Sequence, residues 1–182
     1  ARMAITHPDL VSHLIVISSG GTAPILGGDA DKGWVDAANR AYAYQGETLG
    51  EDEIIAAKRK GYRVFDDRLE RILRENYRRA QTTGEVEIFR NLPIEETDQL
   101  LFTQLQKVHL EPYFHQIRCP AMLIWSSEDA TVPVSRGVRL REMIPHADLH
   151  VLADAGHPVM HDRAEAVNDL LRRFCGMKDR SR

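Results

Sequence analysis

Three short stretches of the chain are apolar almost without a break, and each gives way to a loop of small or charged residues. His13-Leu14-Ile15-Val16-Ile17 is β-branched and continuous, which reads as a strand buried on both faces, as in a parallel sheet. Ala121 to Trp125 and residues 148–153 read as two more strands. Helical patterns follow both. One helix covers about 135–143 and is stopped by Pro145. A last helix opens at Asp162, with Glu165 three residues on as its capping-box partner, and carries an apolar stripe of Val167, Leu170, Leu171 and Phe174. Ala1, Met3, Ala4 and Ile5 look like the tail of a buried helix ended by His7-Pro8-Asp9. A start inside a helix, with neither methionine nor cap, is expected of a truncated chain.

Between the first and second strands the period changes. A Gly-, Pro- and Asp-rich loop spans 22–33, and from Trp34 to about Leu110 no strand signal occurs. Leu69, Ile72, Leu73, Asn76, Tyr77 and Ala80 mark one face of a helix, with Asp66 or Asp67 as its cap and Gly84 as its stop. Glu51 to Lys60 and Glu95 to Val108 read as further helices. The expected organisation is an α/β core over 1–33 and 111–182, interrupted by a helical cap over 34–110.

Composition narrows the function classes. A formal net charge of -3 and a pI near 6.3 give no reason to expect nucleic acid or an anionic membrane as partner. The arginines at 71, 74, 78 and 79 interleave with Glu70 and Glu75, the pattern of a solvated helix face. Cys119 and Cys175 form no disulfide framework and read as reduced side chains of a cytoplasmic protein. No metal-ligand spacing occurs, so neither metal nor cofactor is expected, and no apolar run approaches the ~20 residues of a membrane span.

Chemistry concentrates at two strand ends. Ser126-Ser127-Glu128-Asp129 follows the second strand, and Ala155-Gly156-His157 follows the third. Ligands bind beyond the carboxyl ends of strands in open α/β sheets. A carboxylate there can orient an imidazole, and an imidazole suits a general base at neutral pH. His157 lies 28 residues after Asp129, room for one helix and one strand. Glu128 is the competing acid, and Asp129 is preferred. An acid followed by a histidine is the chain order of α/β-hydrolases, whose nucleophile lies upstream in a G-x-S-x-G turn. These residues contain no such turn.

The resemblance extends further. Ile117 to Pro133, which includes Trp125-x-x-x-Asp129-x-x-Val132-Pro133, resembles the acid-bearing segment of α/β-hydrolases. Ala147 to His157 resembles their histidine segment, and Met3 to Ile17 the helix after the nucleophile with its following strand. Within that family the chain looks most like the meta-cleavage product hydrolases of aromatic degradation, which cleave a carbon–carbon bond in a vinylogous diketone acid. The resemblance implies the C-terminal half of an α/β-hydrolase parallel sheet with an inserted helical cap. It implies a Ser-Asp-His triad with Asp129 and His157 here and the serine outside this chain, so that the fragment alone is inactive. It implies a cofactor-free reaction on a small-molecule substrate, with Asn76, Val132 and Pro158 as substrate-binding candidates.

Two positions depart from that subfamily. Pro158 stands where a tryptophan usually follows the histidine, and Asn76 where a cap arginine usually binds the substrate's acid group. Trp34, Tyr42, Tyr44, Phe65, Tyr77, Phe89 and Phe102 could supply aromatic walls or simply fill the cap, and Ser19-Gly20-Gly21 could border the pocket. A carboxylesterase or lactonase, and a non-catalytic relative that uses the cap as a binding surface, remain alternatives. Half a parallel sheet exposes an edge strand, which would pair with the missing N-terminal half or with a second copy as a homo-oligomer.

Overall fold

A computed structural model describes residues 1–37, 50–84 and 105–176. Three parallel strands, β1 (Leu14–Ile17), β2 (Ala121–Ser126) and β3 (Asp148–Leu152), form a sheet in the order β1-β2-β3. Leu14 pairs with Ala121, and Met122 with Asp148. β1 and β2 are thus hydrogen-bonded neighbours although residues 18–120 separate them in the chain.

β2 explains why its sequence is apolar at every position but the last. All six residues are buried, and successive side chains serve opposite layers. Ala121, Leu123 and Trp125 join Ala4 and Ile5 of α1 (Arg2–Thr6) and Leu140 of α4 (Val134–Met143). Met122 and Ile124 join Val159 of α5 (Val159–Asp162) and Val167 of α6 (Ala164–Phe174), with Leu170, Leu171 and Phe174 against them. The stripe read from the sequence therefore covers the sheet. Its expected start does not: Arg163 occupies the N-cap of α6, no side chain caps it, and Asp162 belongs to the preceding turn. The carboxylate of Asp162 is engaged elsewhere.

The segment between β1 and β2 holds α2 (Glu51–Arg59) and α3 (Asp67–Thr83). Asp66 caps α3 by accepting the Leu69 amide at 2.8 Å, and Gly84 ends it at φ 72°, a left-handed turn suited to glycine. Residues 105–109 are helical, while the rest of the helix expected over Glu95 to Val108 lies outside the described residues. The loop after β1 is tied down by Arg136 of α4. This fully buried guanidinium donates to the carbonyls of Gly20, Ala23 and Pro24 at 2.6–2.9 Å and lies 3.5 Å from Asp31. Burial holds its pKa below the ordinary guanidinium value, against the opposing pull of Asp31 and Asp129.

Candidate active site

The acid loop is built on Trp125. Its ring is wholly buried, and a Cβ on Gly137 of α4 would come within 2.8 Å of it, so helix and indole meet at van der Waals range only because residue 137 is glycine. The indole Nε1 donates to the Val132 carbonyl at 2.7 Å. The Val132 amide in turn donates to Asp129 Oδ1 at 2.8 Å, and the Thr131 amide to the same oxygen at 2.9 Å. The spacing Trp125-x-x-x-Asp129-x-x-Val132 is thus a closed set of bonds that aims one carboxylate.

His157 arrives from the loop after β3. Its Nδ1 lies 3.0 Å from Asp129 Oδ2 and 3.1 Å from Oδ1. The Asp129 side chain is fully enclosed, and the imidazole is 38% exposed. A buried carboxylate against Nδ1 favours the tautomer that carries its proton there, which leaves Nε2 with a free lone pair. Glu128 points away: it is exposed and pairs with Arg63 Nη1 at 3.4 Å. The structure therefore brings Asp129 and His157 together and leaves Glu128 aside.

A cleft of about 750 Å³ opens beside the histidine. His157, Pro158, Ala130 and Thr131 form its core side, and Trp34, Lys58, Lys60, Gly61 and Tyr62 are on the other. Pro158 thus stands at the site. Val132 does not. It has no exposed surface and belongs to the core cluster with Trp125 and Leu140, so the expectation that it meets substrate is corrected. Asn76 is solvent-exposed and absent from the cleft lining. The ridge of α3 that turns inward runs through Leu69, Leu73 and Tyr77, and the adjoining ridge of Ile72 and Asn76 is exposed.

Of the aromatic candidates, Trp34 lines the cleft, whereas Phe65 packs edge-on against Tyr62 under Arg59. Tyr77 is not in the lining either, and Tyr42, Tyr44, Phe89 and Phe102 lie outside the described residues. Ser19-Gly20-Gly21 does not line the cleft, since Gly20 is covered by the Trp34 ring. Lys58, Lys60 and Tyr62 were missed because nothing in their local pattern sets them apart from a helix end. Gly33 carried a weak signal as the last glycine before the helical block. A Cβ there would fall 1.6 Å from the Ala130 carbonyl oxygen, so the chain leaves the core directly over the acid loop. Among the described residues no group of three or more His, Cys, Asp or Glu side chains could hold a metal ion, and no helix is long and apolar enough to cross a membrane.

The model of the alpha/beta hydrolase family matches residues 1–170. The chain belongs to the α/β hydrolase family. Among curated relatives of this α/β hydrolase, a 2-hydroxy-6-oxononadienedioate/2-hydroxy-6-oxononatrienedioate hydrolase of Paraburkholderia phymatum is 37% identical over 62 residues, 34% of this chain and 22% of that protein. Solved structures share the fold at low identity. The 2-hydroxy-6-oxo-6-phenylhexa-2,4-dienoate hydrolase of Rhodococcus superposes with a TM-score of 0.64 at 16% identity, covering 95% of this chain and 58% of that one. A meta-cleavage product hydrolase of Pseudomonas fluorescens does so at 0.60 and 19%, with 95% and 58% covered. The enol-lactonase of Burkholderia xenovorans gives 0.53 and 20%, with 96% and 60% covered. The chain therefore spans under two thirds of the length of each of these solved relatives.

Proposed function

We propose that this α/β hydrolase chain supplies the acid and the base of a serine-type, cofactor-free hydrolase whose nucleophile and oxyanion hole come from residues outside these 182. The observation that carries the reading is the His157 Nδ1 held at 3.0 and 3.1 Å by both oxygens of an enclosed Asp129, at the wall of a cleft of about 750 Å³. His157 Nε2 takes the proton of the serine hydroxyl as the oxygen attacks a carbonyl carbon, and Asp129 stabilises the imidazolium that forms. The same proton then passes to the leaving group.

The substrate we infer is a meta-cleavage-type dienoate cut at a carbon–carbon bond, with His157 also assisting ketonisation of the dienol. Two observations support it. Relatives that match in sequence are named as hydrolases of 2-hydroxy-6-oxononadienedioate and 2-hydroxy-6-oxononatrienedioate. Lys58 and Lys60 line the cleft with His157 and offer cationic partners for a substrate carboxylate where Asn76 does not. The likeness to an enol-lactonase favours ester or lactone hydrolysis as the second reading. Two cysteines outside any disulfide support a cytoplasmic site of action.

The test is the full-length protein and its His157→Ala variant, each assayed on a meta-cleavage dienoate and on a nitrophenyl ester. General-base loss should lower turnover by about 10²–10⁴-fold with the circular dichroism spectrum unchanged. Near-normal turnover by the variant removes His157 from the mechanism. A wild-type protein that turns over neither substrate points to the binding-protein alternative.

A further inference from the structure

Asp162 is 9% exposed, and its carboxylate meets three backbone amides from two distant parts of the chain. Oδ2 accepts from Gly156, beside the candidate base, at 2.8 Å and from Arg63 at 3.1 Å. Oδ1 accepts from Val64 at 2.9 Å. Hydrogen bonds from N–H groups to a carboxylate are about twice as strong as neutral ones. Residues 63 and 64 lie in the turn between α2 and α3 that also carries Lys60, Gly61 and Tyr62 into the cleft wall. We propose that Asp162 is a positioning residue, a clasp that fixes this cap turn on the loop carrying His157 and so sets the width of the cleft at the base.

Independent contacts converge on the same junction. A Cβ on Gly156 would stand 2.9 Å from the Gly61 carbonyl oxygen and 3.7 Å from the Arg63 nitrogen, so the two backbones touch where no side chain fits. Tyr62 packs edge-on against His161, one residue before the clasp, at 5.3 Å between ring centroids. Burial and the charge of Asp162 both raise the Tyr62 pKa, which keeps the phenol neutral beside the carboxylate. Arg63 reaches across to Glu128, the neighbour of Asp129. The turn is therefore seated on both loops of the pair, and the clasp is its one buried charged contact among those named here. Its consequence for selectivity rests on the reading of His157 as the base.

Asp162→Asn keeps the shape and removes one acceptor. Whichever way the amide turns, its NH₂ faces at least one of the three N–H groups. In the full-length protein, kcat/KM for a dienoate that fills the cleft should fall about tenfold or more, chiefly through KM, as expected when a buried donor loses its partner. Hydrolysis of nitrophenyl acetate, too small to need the cap wall, should change by less than about threefold. Equal losses on both substrates, or no loss on either, would overturn the clasp. Amide hydrogen exchange reads the junction without catalysis: residues 61–64 and 155–157 should exchange about tenfold faster in the variant while β2 stays protected. Unchanged exchange at 61–64 overturns the clasp even if the enzyme is a hydrolase. Absence of wild-type activity overturns the hydrolase reading and leaves the exchange result to decide the clasp. Should Asp162→Asn not accumulate, Gly156→Ala, which wedges the turn away from the loop, carries the same exchange reading.

Discussion

The acid loop and the helices α2 and α3 of this molecule are held by different forces. Beneath Asp129, every residue of β2 is buried, Trp125 is sealed against Gly137, and each polar atom that aims the carboxylate is itself bonded. Between β1 and β2, α2 and α3 are joined by ion pairs that are half-buried at Arg74, Glu51 and Glu70 and exposed at Asp52 and Arg78. Arg74 meets Glu70, Glu51 and Asp52 at 2.7–3.0 Å, and Arg78 meets Glu51 at 2.8 Å. Of the four arginines that the sequence marks as a solvated face, Arg74 and Arg78 thus form a seam between two helices. Close packing admits little displacement, whereas ion pairs that water reaches are weak, screened and exchangeable. The Asp129–His157 pair therefore rests on the part of the molecule least able to shift. The opposite wall of the cleft rests on a part that tolerates change.

Three substitutions would break or sharpen that contrast. The largest effect belongs to Asp129→Asn in the full-length protein, which keeps the geometry but disturbs the tautomer and charge that His157 needs. Turnover should fall about 10⁴-fold with little loss of stability, measured by steady-state kinetics beside thermal unfolding. A loss below tenfold would mean that the buried carboxylate does not serve the base. Next comes Trp125→Ala, which empties the space under the acid loop and leaves the Val132 carbonyl unpartnered. It should cost about 3–5 kcal/mol in denaturant unfolding. A cost under about 1 kcal/mol, the range of ordinary surface changes, would show that the core is not what holds the loop.

The smallest effect should come from the seam between α2 and α3. Hydrogen bonds from Arg78 and Arg74 hold the Glu51 pKa below the ordinary carboxylate value. The stabilisation they give is complete above the ordinary value and is lost as pH falls through the lowered one. Arg74→Ala, or acidification through that range, should speed proteolysis between α2 and α3 while ester hydrolysis at neutral pH by the variant changes less than about threefold. Loss of activity as large as that of Asp129→Asn would erase the distinction between the two regions.

The Asp129–His157 pairing was legible because its signals are local. Asp129 and His157 each follow an apolar run that must end at the sheet's rim, and Asp66 and Gly84 mark the ends of α3 by backbone chemistry alone. Val132 was not legible: an apolar residue three positions after the acid suits a pocket wall as well as a core, and only its neighbours decide. Asn76 failed for a related reason. A helical period defines a stripe, but not which edge of the stripe another element covers. Asp162 satisfies a capping pattern with Glu165, yet the stronger donors were backbone amides about a hundred residues away in sequence.

By itself, then, the sequence determined the three strands, the helices that punctuation residues bound, and the acid–histidine order. These follow from period, propensity and chain order, which neighbouring residues carry. The tertiary structure decided which of two acids faces the imidazole, which lysines and aromatics reach the cleft, and what the Asp162 carboxylate holds. Those outcomes depend on backbone amides and packed surfaces brought together across long stretches of chain, and a backbone N–H leaves no mark in the sequence that supplies it.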